Sequence, residues 1–324
     1  MTNGLLTLSA YLHAREPELL THERRERMLA APDAAEAMKV LGECGYEVPE
    51  HISLSEAERM LAASRASLYG ELRAMAPEDP ALAVFSAKYD YHNAKAFAKA
   101  AVTGEDAARI WMEGGRFGRT ELTECFAAGD FRMLTRALAE GIEAARAELA
   151  DGGDARRADV LLDRAYFAEL AELAEPEPFL AGYVRLLTDA ANLRTAVRVL
   201  HAGEDAEMLA WALFDGGNVL PQRLIDARGA YAGIYAGGEL AEAGELAEKA
   251  AAEGGALTEF ERACDDAVCA YFDAARRAVS GEEVVAYYLF AREAEWTAIR
   301  TILSGRIASL DADAIRARLR EVAG

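Results

Sequence analysis

His22-Glu23 opens the H-E-x-x-H pattern of a helical zinc site, in which two imidazoles one turn apart hold the metal and the glutamate activates water. Position 26, where the second imidazole belongs, is Glu, so the zinc reading fails. Asp265-Asp266 resembles the start of an aspartate-rich magnesium motif of an all-α enzyme, but the acid due at 269 is Cys, which leaves a solvated helix face. Met112-Glu113-Gly114-Gly115-Arg116-Phe117-Gly118-Arg119 is glycine-rich enough to wrap a phosphate. It follows a helical stretch instead of a strand and lacks G-x-G-x-x-G spacing, so it reads as a loop. No Gly-Lys pair occurs anywhere, which excludes a P-loop. His92 and His201 have no Ser, Cys or paired carboxylate converging on them in the sequence, so neither reads as a general base. Nothing here demands covalent chemistry.

A different set of polar residues recurs. Between Pro77–Ala107 and Pro176–Ala206, aligned without a gap 99 residues apart, Pro77/Pro176, Glu78/Glu177, Asp90/Asp189, Asn93/Asn192 and all of Gly104–Ala107/Gly203–Ala206 are identical. Lys95/Arg194 and Lys99/Arg198 keep their charge. A looser third copy spans Ala286–Ile307, with Glu295 in place of the aspartates, Arg300 in place of Lys95 and Arg194, and Ala298 in place of the asparagines. The matches are mostly polar or Gly/Pro, so a shared Ala-rich composition does not produce them. As a functional set the Asp–Asn pairs would form a partner-binding surface. As a structural set they would be the same helix-to-helix hydrogen bonds rebuilt in each copy, since a buried Asp or Asn must find partners. The structural reading is the expectation.

The elements that carry these residues read as helices. Ala, Leu, Glu and Arg dominate and no Val/Ile/Thr run alternates, which predicts an all-α chain. Each copy opens on punctuation: Pro77-Glu78-Asp79-Pro80, Glu175-Pro176-Glu177-Pro178 and Gly281-Glu282-Glu283. Proline suits a first turn whose N–H lacks an intrahelical partner, and carboxylates there complement the macrodipole. On the first such helix Leu82, Phe85, Tyr89, Asn93, Ala96 and Ala100 form one core stripe. Asp90 has no cation three or four residues away, so its partner must come from elsewhere in the fold. Gly104 and Gly203 are expected helix-ending C′ glycines. Residues 1–75 read as short helices broken at Pro17, Pro32, Pro49 and Gly42–Gly45, with S-x-x-E capping boxes at Ser53–Glu58 starting a helix through Leu61 and Leu68. Asp151–Asp154 and Asp215–Asn218 read as loops, and Ala230–Gly255 as a weakly packed helical hairpin or a mobile region. Asp311 is an expected N-cap, followed by an apolar edge of Ile315, Leu319 and Val322.

The chain has 324 residues, 52% apolar and 28% charged, ordinary for a globular protein with two or three cores. A period near 100 residues suits small domains better than solenoid units. Domains are expected at 1–104, 105–213 and 214–324. A net charge of −20 speaks against nucleic acid and anionic lipid as partners. No apolar run approaches the ~20 residues of a bilayer span, and no basic region followed by an apolar one opens the chain, so neither a membrane span nor a secretory signal is expected. Cys44, Cys125, Cys264 and Cys269 lack CxxC pairing and read as a reduced, cytosolic thiol set.

The segments KYDYHNAKAFAKA, TDAANLRTAVRVLHAG and YYLFAREAEWTAIRTILSGRIASLDADAIRARLR together resemble the central-stalk C subunit of prokaryotic V/A-type ATPases and ATP synthases, whose eukaryotic vacuolar counterpart is called the d subunit. The D-x-x-N-x-K/R helices and the C-terminal E-x-E…I-R-x-I-L…I-R-x-R-L block occur together and in order, across essentially the whole chain. Ala298 departs from the family's frequent Asn. The resemblance implies a funnel of three similar helical domains about a pseudo-threefold axis. It implies a rotor part whose mouth receives the foot of the central shaft (its D-type and F-type components), and whose opposite face sits on the membrane ring of proteolipid subunits that carry the ions. It implies no nucleotide, no other cofactor and no catalysis, and a place on the cytoplasmic side of the membrane, peripheral to it. The residues themselves leave two alternatives: an all-α enzyme using Asp265-Asp266 or His92 in a central cavity, and a generic helical-repeat scaffold.

Overall fold

Runs of Ala, Leu, Glu and Arg broken by Pro, Gly and short polar residues give helices with marked starts and stops, and that is what the computed structural model contains. The structure describes residues 3–320 apart from 52, 151, 255 and 256. The helices are α1 (Asn3–Arg15), α2 (His22–Ala30), α3 (Ala34–Leu41), α4 (Leu54–Met75), α5 (Pro80–Thr103), α6 (Arg119–Ala128), α7 (Arg136–Ala150), α8 (Ala155–Ala174), α9 (Pro178–His201), α10 (Ala206–Ala212), α11 (Pro221–Ala227), α12 (Ala232–Tyr235), α13 (Ala241–Glu253), α14 (Thr258–Asp273), α15 (Glu282–Ile307) and α16 (Ala312–Arg316). No strand occurs among the described residues, so the fold is all-α.

The starts are chemically marked. Thr21, Asp33, Ser53, Asp154, Asp205 and Asp311 each accept a backbone N–H from the first turn of α2, α3, α4, α8, α10 and α16. A side-chain cap of this kind contributes about 0.5–2 kcal/mol. Pro178 opens α9 at a position where its missing N–H costs nothing. Gly104 and Gly203, at φ 73° and 70°, end α5 and α9 in the left-handed region.

Contacts divide the chain into two compact units, Met1–Leu82 with Cys269–Gly324, and Ala83–Val268. In the first, α15 packs on α1, α3, α4 and α16. Its Ile299, Ile302 and Leu303 are fully buried, as are Leu12, Met38 and Leu61. In the second, Tyr91, Ala94 and Ala98 of α5 share a core with Leu122, Leu138, Ile142 and Leu162. α7 and α8 approach closely at Gly141, where an added Cβ would stand 2.7 Å from the Ala165 Cβ.

Three sequence expectations change. The long repeat helices are not amphipathic with a single stripe: Tyr91, Ala94 and Ala98 are buried on α5 together with Leu82, Phe85 and Tyr89, while Ala100 is only half-buried. A helix central to its surroundings meets protein on most sides, so helical spacing alone understates its burial. The helix expected from the Ser53 capping boxes through Leu68 is present but longer, since α4 runs for 22 residues to Met75. From Ala230 to Glu253 the chain is a packed hairpin, because Tyr231 and Tyr235 close on Gly244 and both tyrosines are buried, as are Ala243 and Ala247. Asp151, Gly255 and Val322, named in the expectations above, lie outside the described residues.

Two glycine replacements should move stability in opposite directions. Gly70 in α4 is exposed and has nothing within 4 Å of an added Cβ, so Gly70→Ala should stabilise by about 0.5–1 kcal/mol through helix propensity. Gly141→Ala gains the same propensity but overpacks a rigid contact, which costs about 1–3 kcal/mol, so it should destabilise. Urea unfolding of the two variants reads the signs; a stabilised Gly141→Ala contradicts the close α7–α8 approach.

Candidate functional site

The polar residues singled out by repetition lie on α5, α9 and α15, and each of the three acids is buried: Asp90 is 0% exposed, Asp189 3% and Glu295 5%. Charge at such a position must be compensated by hydrogen bonds or a cation. Each carboxylate accepts the backbone N–H of the residue just before a helix N-cap. For Asp90 this is Phe117, at 3.2 Å, ahead of Gly118 and α6. For Asp189 it is Val219, at 3.0 Å, ahead of Leu220 and α11. For Glu295 it is Leu20, at 2.7 Å, ahead of Thr21 and α2.

The remaining compensation differs at each site. Arg116 places its Nε 2.6 Å from Asp90 and its Nη1 2.8 Å from the buried Glu169 of α8. Asp189 accepts instead from the backbone and side-chain amide of Asn218, each at 3.0 Å. Glu295 receives Arg292 of its own helix at 2.7 Å and the Tyr46 hydroxyl. The glycine-rich stretch read as a loop is therefore the strap over Asp90. A Cβ at Gly115, or at Gly217 in the second copy, would fall inside van der Waals contact of the carboxylate oxygen, so only glycine lets the backbone come that close.

Asn93 and Asn192 are fully buried and act as two-way clamps. Asn93 donates to the Met112 carbonyl and accepts from the Met112 N–H, both at 2.9 Å. Asn192 does the same to Phe214, at 2.8 and 2.9 Å. Ala298 has no such group. The cations face acids on the helix that precedes the next repeat helix. Lys95 meets Asp163 at 2.5 Å and Lys99 meets Asp159 at 2.7 Å, both on α8. Arg194 meets Glu261 at 2.8 Å and Asp265 at 2.5 Å on α14, and Arg300 meets Glu58 at 2.6 Å on α4. Sequence reasoning missed Arg116, Glu169, Tyr46 and the pairing of acids on α4, α8 and α14, because none stands at helical spacing from its partner in the repeat, and it missed Arg292 although that residue lies one turn before Glu295 on α15.

The other residues with chemical promise are committed elsewhere. Asp265 pairs with Arg194. His92 bonds the Ile110 carbonyl through Nε2 at 2.9 Å, and His201 bonds the Ala250 carbonyl at 3.0 Å. Among the described residues no cluster of three or more metal-ligating side chains gathers, and no helix is long and apolar enough to cross a membrane. A cavity of about 470 Å³ within the first unit is lined by Arg15, Glu18, Tyr46, Glu56 and Arg59 among others. Arg15 is engaged by Glu18 and Glu71, and Arg59 by Glu56.

Burial shifts the three acids in one direction. It pushes the Asp90 carboxyl up from its ordinary 3.8 to about 6, against the lowering by Arg116 and the Phe117 N–H. Asp189 is raised by burial against the N–H groups of Val219 and Asn218, and Glu295 by burial against Arg292 and Tyr46.

The profile of a family described as ATP synthase (C/AC39) subunit matches residues 8–318. The C subunit of the V-type sodium ATPase of Enterococcus hirae is 21% identical over 324 residues, which cover 97% of this chain and 98% of that protein. The C subunit of the V-type ATP synthase of Thermus thermophilus is 27% identical over 158 residues, 46% of this chain and 49% of that protein.

Two outcomes follow from the clamps. Asn93→Ala leaves the Met112 N–H and carbonyl unpaired and should cost about 1–3 kcal/mol, without selectively removing any binding partner from the folded variant. Thermal melts paired with a pull-down check both halves; native melting with lost binding would make Asn93 a recognition residue. A raised folded carboxyl binds its proton above the unfolded value, so the contribution of Asp90 to stability is present below about pH 4 and is lost as pH rises through about 6. Wild type should therefore gain roughly 1 kcal/mol on Asp90→Asn between pH 7.5 and pH 5.5 by urea unfolding. A shift of the opposite sign means that Arg116 outweighs burial.

Proposed function

This chain belongs to the ATP synthase (C/AC39) subunit family, and from that premise we propose that it is the non-catalytic socket of a rotary ATPase, joining the central shaft to the membrane ring and passing torque between them. The family match over residues 8–318 carries the reading, because it covers the repeats and the segments between them together. The proposed partners are the shaft components of D and F type on one face and the proteolipid ring on the other, with the protein peripheral on the cytoplasmic side. Three similar helical domains about a pseudo-threefold axis are the proposed arrangement.

The chemistry of the buried sites supports a mechanical role over an enzymatic one. Asp265 and His92, the residues an all-α enzyme would use, are engaged by Arg194 and the Ile110 carbonyl. Four buried polar groups of the repeat are spent on backbone: Asp90, Asn93, Asp189 and Asn192 all bond main-chain groups of loops that follow their own helices. Such clamps stiffen a body. Stiffness suits a part that transmits the work of ion passage, about 2.3 kcal/mol per charge per 100 mV, since a compliant joint would dissipate it.

Reconstitution of the complex with and without this chain tests the proposal. The soluble head should still hydrolyse ATP in its absence, while ion pumping driven by that hydrolysis should be lost. Pumping at full rate without the chain would show that it is not the socket. Loss of hydrolysis by the isolated head would give the chain a catalytic part.

A further inference from the structure

The hydrogen bonds delimit the repeat more sharply than sequence identity does. After α5 come a left-handed residue at Gly104, an acidic cap at Asp106, a loop whose Phe117 N–H meets Asp90, helices α6 and α7, and then α8 with the acids that meet Lys95 and Lys99. After α9 come Gly203, the Asp205 cap, Val219 on Asp189, α11 to α13, and α14 with the acids that meet Arg194. After α15 the same order begins: Ser309 takes φ 57° where the other copies have glycine, and Asp311 caps α16 as Asp205 caps α10 and Asp106 caps the 3-10 turn Ala107–Ile110.

The groups that answer α15 come from residues far earlier in the chain. Leu20, directly before the Thr21 cap of α2, gives Glu295 the N–H that Phe117 and Val219 give their aspartates. α3 and α4 then follow in the places of α7 and α8. Glu58 on α4 meets Arg300 as Asp163 meets Lys95, and the Tyr69 hydroxyl reaches Glu293 at 2.7 Å. The Arg316 guanidinium, in the third capped turn, meets Glu26 of α2 at 2.9 Å.

We infer that the third repeat is a composite, with its signature helix α15 supplied by residues 282–307 and its strap and outer helices by residues 16–75, which dock on α15 as an internal ligand latched by Glu295. In this reading the repeats open at Pro80, Pro178 and Glu282, in place of divisions near residues 104 and 213. The latch also accounts for the glutamate. The strap that reaches Asp90 and Asp189 carries glycine two residues before the bonding N–H, at Gly115 and Gly217, whereas the corresponding residue before Leu20 is Glu18. A strap with a side chain there stands off from the helix, and the extra methylene of Glu295 spans the difference. The inference concerns assembly of this chain alone and is independent of the rotor role.

The docking surface is testable because its two sides join through one exposed turn at Pro77-Glu78. A specific protease site is inserted between those residues and the folded full-length protein is cut there. The expected product is a single species on size exclusion at micromolar concentration, with both pieces present and the helical signal of uncut protein. In cut protein, Glu295→Gln should raise the dissociation constant of the pieces roughly tenfold or more, as for truncation of a buried charged pair. Glu58→Gln, at an exposed pair, should change it by less than about threefold. Should Glu295→Gln fail to fold uncut, Tyr46→Phe removes one hydroxyl from the same latch and should weaken docking in the same direction. Pieces that separate on cutting with every anchor intact overturn the inference. So do Glu295→Gln or Tyr46→Phe pieces that bind as tightly as the parent.

Discussion

The structure depends on a carboxylate taken out of water in the middle of a long helix. An isolated buried charge of this kind is prohibitively costly, and removing the partners of a paired one costs about 3–5 kcal/mol. Asp90, Asp189 and Glu295 therefore oblige the chain to bring donors to them, and a backbone N–H just ahead of a helix N-cap answers each time. The requirement is local to one atom but its effect is long-range. It fixes where the next helix starts and how close the intervening loop lies, and it explains why Gly115 and Gly217 have no side chain.

One constraint has three solutions. The first copy recruits Arg116 from the strap and shares it with Glu169, which makes a buried acid–base–acid triad spanning α5, the loop and α8. The second uses a double contact from Asn218 and the Val219 N–H, so among the described residues its carboxylate rests on neutral dipoles. The third draws Arg292 from one turn earlier on its own helix and adds Tyr46, whose hydroxyl burial keeps protonated and therefore able to donate. The exposed pair of Arg300 with Glu58 contributes little by comparison, since screened surface pairs are worth about 0–1 kcal/mol.

These solutions bear on mechanical behaviour. Asn93 and Asn192 each satisfy both the donor and the acceptor of one loop residue, so displacing the loop breaks two hydrogen bonds at once in a site closed to water. The third copy lacks this clamp at Ala298 and holds its strap through the Leu20 N–H on Glu295 and the pair of Arg15 with Glu18. The ion pairs along α8 and α14 use some of the surplus of acidic residues to tie helices together.

The all-α class, the helix starts, the left-handed glycines and the identity of the three signature helices were legible in the residues, because each is a local matter of propensity, capping or repetition. Ser53, Asp311, Gly104 and Gly203 act where their types and spacing say they should. The resemblance of the repeats to the C/AC39 family was legible for the same reason, since spaced polar matches survive where apolar ones are interchangeable. Only the tertiary structure decided which groups answer the buried acids. Arg116 lies 26 residues from Asp90, Asn218 lies 29 from Asp189, and Leu20 lies 275 from Glu295. A carboxylate states that it needs a donor without stating which one, and folding brings together residues that no helical period relates. The burial of α5 on more than one side was hidden likewise, because alanines pack on any side of a helix and leave no periodic trace of the neighbours they meet.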